Sequence, residues 1–378
     1  MSKIHIALVG GQNSPVYLGI MGTRPNRVVL ITSEQTRKSV DTIKSVLPSP
    51  LPIETITLSP IDPVKIHQVA SDLAEKYKND EAWLNISGGL KSWSHIFGYI
   101  FQSLPNAHVI YVDQNNTIWD YKDNSKLVQA PFDMKTRFIL NNNPLINYTP
   151  FLDYTEDDFS TVKTILDART FDVSIFEQLV NPIKKGDAAK LNAKEGTFDA
   201  GLCDSYVQWQ KAKNNQLGFV NLLITKKNGM RKEFRVESKY APQLMFHTHW
   251  FEYYVAEILS HWELANEICL NAKFVAKNNA PKNEVDVIVS TGVKVLFVEC
   301  KLQIVSPTDI DKFRSVVRNY GGTGAKGIFI TDQPINDICK QKCEENSLLH
   351  FSLHDKGAGA AKQLYKYLDS NIETINAK

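Results

Sequence analysis

The first third of the chain alternates short apolar runs with amphipathic stretches. Residues 4–9, 27–32, 53–58, 82–86 and 109–112 are runs rich in Val, Ile, Leu and Ala, the length of strands. Between them, residues 34–47 and about 62–78 repeat apolar positions at helical spacing, and a further helix fits between 86 and 109. A hairpin through Asn115-Asn116 adds a strand at 118–121. Strand–helix alternation of this kind predicts an α/β fold, a mostly parallel sheet covered on both faces in the Rossmann-like manner. Ligands on such sheets lie at the carboxyl ends of the strands, near the point where strand order reverses.

The pattern then changes. Residues 122–180 read as an irregular connector, with Asn141-Asn142-Asn143-Pro144, an acidic run Glu156-Asp157-Asp158 and a helix around 160–168. Residues 181–200 read as a loop. Strands at 219–225 and 233–237 flank Asn228-Gly229, a hairpin signal, and the tip carries Lys226, Lys227, Arg231 and Lys232. Such a tip suits either a phosphate backbone or a charged edge that resists aggregation.

Residues 249–259 carry a helical stripe of Phe251, Tyr254, Val255, Ile258 and Leu259, with Glu252 beside it. A strand at 270–275 precedes two more, 285–289 and 293–298, joined at Ser290-Thr291-Gly292. Ser306-Pro307 then starts a helix through Phe313 and Val316 to Tyr320, closed by Gly321-Gly322, and 327–331 is a final apolar strand.

Totals narrow the picture only modestly. A chain of 378 residues suggests two domains. A formal net charge of +2 makes any basic surface local. The five cysteines are scattered, as in a reducing cytoplasm, and lack zinc spacing; Cys339 and Cys343 sit four apart on one helix face. No apolar run is long enough to span a bilayer or form a signal peptide, so a soluble cytoplasmic protein without a membrane partner is expected.

The chemistry concentrates in two places. Alternation along 293–301 puts Glu299 and Lys301 on one face with Phe297, and the hairpin returns Asp286 towards Glu299. Two carboxylates with an ammonium suit a Mg²⁺ or Mn²⁺ site acting on a phosphate. The second place is Asn85-Ile86-Ser87-Gly88-Gly89-Leu90-Lys91, after the fourth strand. Its glycines let backbone amides approach a ligand, Ser87 is a donor and Lys91 a cation, as a phosphate edge needs. Neither G-x-G-x-x-G nor G-x-x-x-x-G-K-[ST] occurs, which disfavours dinucleotide enzymes and P-loop ATPases.

Asn85 to Lys91 resembles the N-[LI]-[ST]-G-G-T-K signature of CARF domains, Rossmann-like sensors of cyclic oligoadenylates, with Leu90 replacing the usual Thr. Asp286 with Glu299-Cys300-Lys301 resembles the PD-(D/E)xK nuclease site, with Val285 at the Pro position. Trp250-Phe251-Glu252 resembles the helix that precedes this hairpin in CARF-linked nucleases. Together these identify the chain as similar to CRISPR ancillary nucleases.

The resemblance implies a CARF domain over 1–140, a linker over 141–180 and a restriction-endonuclease-like mixed α/β domain over 181–378. It implies cyclic tetra-adenylate as activator, contacted by Asn13, Ser14, Ser87, Gly88, Gly89 and Lys91, with the Asp113 loop nearby. It implies catalysis by Glu252, Asp286, Glu299 and Lys301, the three acids holding Mn²⁺ or Mg²⁺, with Gln303 as a helper. A homodimer cleaving single-stranded DNA, single-stranded RNA or nicked duplex in type III CRISPR defence follows. The alternatives are a CARF-type transcriptional regulator and a ring nuclease that degrades its own ligand.

Overall fold

The structure is a computed structural model and describes residues 1–128, 132–185, 194–199, 201, 204–214, 216–246, 249–278, 282–304, 306–322, 324–354, 356 and 359–372. The chain divides into two units, Met1–Ile146 and Asn147–Glu373.

The first unit is built on β1 (Lys3–Leu8), β2 (Arg27–Thr32), β3 (Ile53–Thr57), β4 (Glu81–Asn85), β5 (Ala107–Val112), β6 (Ile118–Asp120) and β7 (Ser125–Lys126), in the order β3-β2-β1-β4-β5-β6-β7. The five strands from β3 to β5 are parallel, and β6 and β7 return antiparallel. Successive residues of β1 serve opposite cores. Ile4, Ile6 and Leu8 pack with Leu84, Trp93, Phe97 and Phe101, while Ala7 packs with Val16, Tyr17 and Leu18. Burial on both faces explains why β1 and β2 are continuous apolar runs. Among the helices, Pro63–Lys76 starts where Asp62 accepts from the amides of Val64 and Lys65 with Pro63 behind it, a cap legible in sequence.

The second unit holds two sheets. An antiparallel one comprises β9 (Glu195–Asp199), β10 (Tyr206–Gln210), β11 (Gly218–Thr225) and β12 (Arg231–Ser238) in the order β12-β11-β10-β9. The hairpin read around Asn228-Gly229 is β11–β12, with Gly229 at φ +79°. The other sheet runs β17-β16-β15-β14-β13-β8, from β17 (Leu349–Ser352) and β16 (Ala325–Thr331) through β15 (Val295–Lys301), β14 (Glu284–Ser290) and β13 (Glu267–Phe274) to β8 (Leu145–Pro150), across which the unit boundary falls. β13, β14 and β15 are antiparallel, whereas β15, β16 and β17 are parallel. With the helices His249–Ser260 and Pro307–Tyr320, this gives the expected order helix, three strands, helix, strand.

Between residues 122 and 185 the chain is more regular than its sequence suggested. Helices Met134–Leu140, Glu156–Phe171 and Val173–Lys185 occupy most of it. The acidic run read as irregular is a helix start. Thr155 and Asp158 cap each other reciprocally, and Glu156, Asp157 and Asp158 lie at the positive end of the helix dipole. Of the stretch read as a loop, residues 195–199 form β9 and 186–193 lie outside the described residues. Among the described residues no helix is long and apolar enough to cross a membrane. Cys339 and Cys343 are both buried on the helix Asp337–Glu345.

Candidate functional site

In the first unit, strand order reverses between β1 and β4, whose outgoing loops meet there. The approach is close enough that only glycine fits. A Cβ on Gly88 would stand 2.3 Å from the Leu8 carbonyl oxygen, and one on Gly10 would stand 2.8 Å from the Gly89 nitrogen. Gly89 also takes φ +72°, a left-handed conformation that side chains disfavour.

Asn85, fully buried, ties the two loops together. Its Nδ2 donates to the Pro15 carbonyl at 3.1 Å, and its Oδ1 accepts from the Ser87 amide at 3.0 Å and hydroxyl at 2.6 Å. The Ser87 hydroxyl also accepts from the Val112 amide at 2.7 Å, so it is spent on the fold. Asn13 is likewise turned inward, 3% exposed, with its amide donating to the Leu140 carbonyl at 2.8 Å. Ser14 is half-buried at the first position of the helix Ser14–Thr23. Asp113 accepts from the amides of Asn115 and Thr117 and from the Trp119 indole, as a turn former does. What remains at the surface is backbone at Gly88 and Gly89, exposed Lys91, and the first turn of the helix Lys91–Gln102, which has no side-chain cap. That set offers amides and one cation to a phosphate.

In the second unit, the β14–β15 register places the carboxylates. Pairing runs Val287↔Val298 and Ile288↔Phe297, so Asp286 stands opposite Glu299 one step further along. The ladder stops there because the Asp286 carboxylate takes the Cys300 amide at 2.8 Å. The turn differs by two residues from the sequence reading. The Thr291 amide donates to the Lys294 carbonyl at 2.9 Å with Gly292 at φ +80°, so β15 begins at Val295 rather than 293. Parity is unchanged, and Glu299 and Lys301 share the face of Phe297.

Glu299 is 4% exposed and both its oxygens are engaged, Oε1 by Lys301 at 2.8 Å and Oε2 by Lys282 at 2.5 Å. Glu252, in the first turn of His249–Ser260, faces the same charges, with His249 Nδ1 3.4 Å from its Oε2. Burial first, and then the Glu299 charge, push Asp286 up to about 6 against the opposing pull of Lys301, Lys282 and the Cys300 amide. Burial, and then Asp286, raise Glu252 well above the carboxylate range. Burial acts to lower Lys301, but Glu299 and Asp286 override it and raise its affinity for the proton.

Buried carboxylates that repel one another cost several kcal/mol unless cations compensate them. Carboxylate oxygens are the donors a hard divalent cation takes, so by donor type these acids fit Mg²⁺ or Mn²⁺. Among the described residues, no group of three or more His, Cys, Asp or Glu side chains is arranged to hold a metal ion, and ammonium groups hold both Glu299 oxygens.

The sequence reading missed Lys282. It shares extended-chain parity with Glu284 and Asp286, and that was the available signal. Gln303 is exposed, as are Arg314 and Arg318 on the outer face of Pro307–Tyr320. His247 lies outside the described residues.

No protein-family model and no curated protein matches the chain. Solved structures do. Can2 from Sulfobacillus thermosulfidooxidans, solved in complex with cyclic tetra-adenylate, aligns over 98% of this chain and 99% of its own, at 18% identity and a TM-score of 0.61. A Vibrio cholerae protein of known crystal structure aligns over 97% and 98%, at 14% identity and a TM-score of 0.67. A type III CRISPR defence DNA nuclease activated by cyclic oligoadenylate aligns over 97% of this chain but 52% of its own, at 16% identity and a TM-score of 0.58. At these identities the likeness is one of fold.

Proposed function

We propose that this chain is a cyclic-oligoadenylate-activated, metal-dependent nuclease of type III CRISPR defence, working as a homodimer on single-stranded DNA, single-stranded RNA or nicked duplex. The observation that carries the reading is the convergence of Asp286, Glu299, Glu252 and Lys301 at one end of the β14–β15 hairpin. Its support in the other unit is the glycine-lined crevice at the β1/β4 reversal.

Asp286 and Glu299 would hold Mn²⁺ or Mg²⁺ with Glu252 completing the set. The bound cation supplies a polarised water and charge neutralisation at the scissile phosphate. Lys301, kept protonated by its two carboxylate neighbours, presents a fixed positive charge to a phosphate oxygen as negative charge develops there. Gly88, Gly89 and Lys91 would take the phosphates of the activator, cyclic tetra-adenylate, through amides and one ammonium. Asn13 and Ser87 would act by holding those loops, because their polar atoms face the fold. Activation requires that the ligand bind one conformation of the dimer better than another.

The test is cleavage of labelled single-stranded DNA and RNA with Mn²⁺, with and without cyclic tetra-adenylate, for the wild type and Glu299→Ala. Cleavage that needs both activator and metal and disappears in the variant is the expected result. Ligand binding without cleavage would instead favour a regulator. Ligand consumption that persists in Glu299→Ala would favour a ring nuclease.

A further inference from the structure

Lys282 stands out because the proposed chemistry has no use for it, yet it holds the most buried carboxylate of the cluster. Glu299 has two oxygens, and each has an ammonium on it. The two lysines differ in how they are held. Lys301 lies within β15, paired to Thr331 of β16, and its carbonyl accepts from the Asp332 amide at 3.1 Å. Its charge is also shared with Asp286 and Glu252. Lys282 lies two residues before β14, outside any strand, and reaches across the hairpin to Glu299 Oε2. Its side chain is 29% exposed where the Glu299 side chain is 5% exposed, so Lys282 stands between that oxygen and solvent. Asp286 lies in the field of the same ammonium.

We propose that Lys282 is a built-in counter-ion that competes with the divalent cation for Glu299, so that loading the site means exchanging this ammonium for the metal. This rests on the metal-site reading above and deepens it. An ammonium and a divalent cation on one buried carboxylate repel each other, and the ammonium's hydrogen bond takes one of the lone pairs open to ligation. With no metal bound, the same contact compensates a charge that would otherwise be buried unpaired. Lys282 is thus a positioning residue. It sets how much metal the site requires, and once displaced it lies at the solvent side of the cluster, where a phosphate backbone would approach.

The experiment measures Mn²⁺ binding to the full-length chain without nucleic acid, by the electron paramagnetic resonance signal of free Mn²⁺. Lys282→Gln and Lys282→Met should bind Mn²⁺ about tenfold tighter than wild type, the scale of one lost charge contact. Lys282→Arg, which keeps the charge, should bind as wild type does. Two neutral variants of different shape guard against one failing to fold. Wild-type or weaker Mn²⁺ affinity in the neutral variants overturns the proposal. Glu299→Gln separates the two levels of inference. If it loses Mn²⁺ while the Lys282 variants bind as wild type, only the counter-ion role falls. If it binds Mn²⁺ normally, the metal site falls and the counter-ion role with it.

Discussion

The crevice of the first unit and the charged cluster of the second solve opposite problems. The crevice is made of backbone: Gly10, Gly88 and Gly89 bring two loops together, and the polar side chains around them, Asn13, Asn85 and Ser87, are consumed in holding those loops. Its stability and its shape are one property. The cluster is made of side chains whose charges oppose folding, with Asp286 pushed up to about 6 and Glu252 raised above its usual range by burial and mutual repulsion. Stability is there set against chemistry. The polar side chains of the first region serve mainly to hold its backbone, whereas the carboxylates of the second stay in mutual repulsion, the arrangement in which perturbed groups gather at functional sites.

The largest expected effect tests the second half of that contrast. Asp286→Asn can still accept from the Cys300 amide but cannot carry the charge, so cleavage should fall by a thousandfold or more. Because a desolvated carboxylate is removed, the melting temperature at neutral pH should stay the same or rise. A parallel loss of stability and activity would break the comparison.

Gly88→Ala should do the reverse. Its Cβ meets the Leu8 carbonyl with no flexible side chain to yield, so unfolding free energy should drop by about 1–3 kcal/mol. Affinity for cyclic tetra-adenylate, measured by calorimetry, should fall with it. Mn²⁺ affinity should not change.

An effect confined to acid pH comes from His5 in β1. It is fully buried, its Nδ1 shares a 2.8 Å hydrogen bond with Thr23 Oγ1, and burial lowers it from the ordinary histidine range to about 3. The unfolded chain therefore takes up a proton between pH 6.5 and 3 that the folded chain refuses. The His5 contribution is complete above pH 6.5 and is lost as pH falls, by up to about 1.4 kcal/mol per unit. Denaturant titrations should show that slope, and His5→Gln should flatten it.

Much of this was legible in the residues. The apolar runs gave the parallel sheet because burial on both faces leaves no room for alternation, whereas the place of the switch point needed the strand order that the structure shows. Asp286, Glu299 and Lys301 could be grouped because a hairpin has only two parities and the turn changes neither. The acidic run at Glu156 has the composition of a loop, and the capping exchange between Thr155 and Asp158 is what makes it a helix start. The shift of β15 to Val295 came from a turn closed by the Thr291 amide donating to the Lys294 carbonyl and the Lys294 amide donating to the Thr291 hydroxyl, a local choice that strand periodicity does not encode.

The sequence by itself determined the alternation of strands and helices, the hairpin that carries the acids, and the glycines that a close approach of two loops demands. Those depend on periods of two and 3.6 residues and on the absence of a Cβ, which are local properties. Only the tertiary structure decided that Asn13 and Ser87 face inward, that Glu252 shares a field with Asp286, and that Lys282 holds Glu299. Hydrogen-bond partners and buried charges are settled by groups far apart in the chain, and their energies depend on how much water the folded chain excludes.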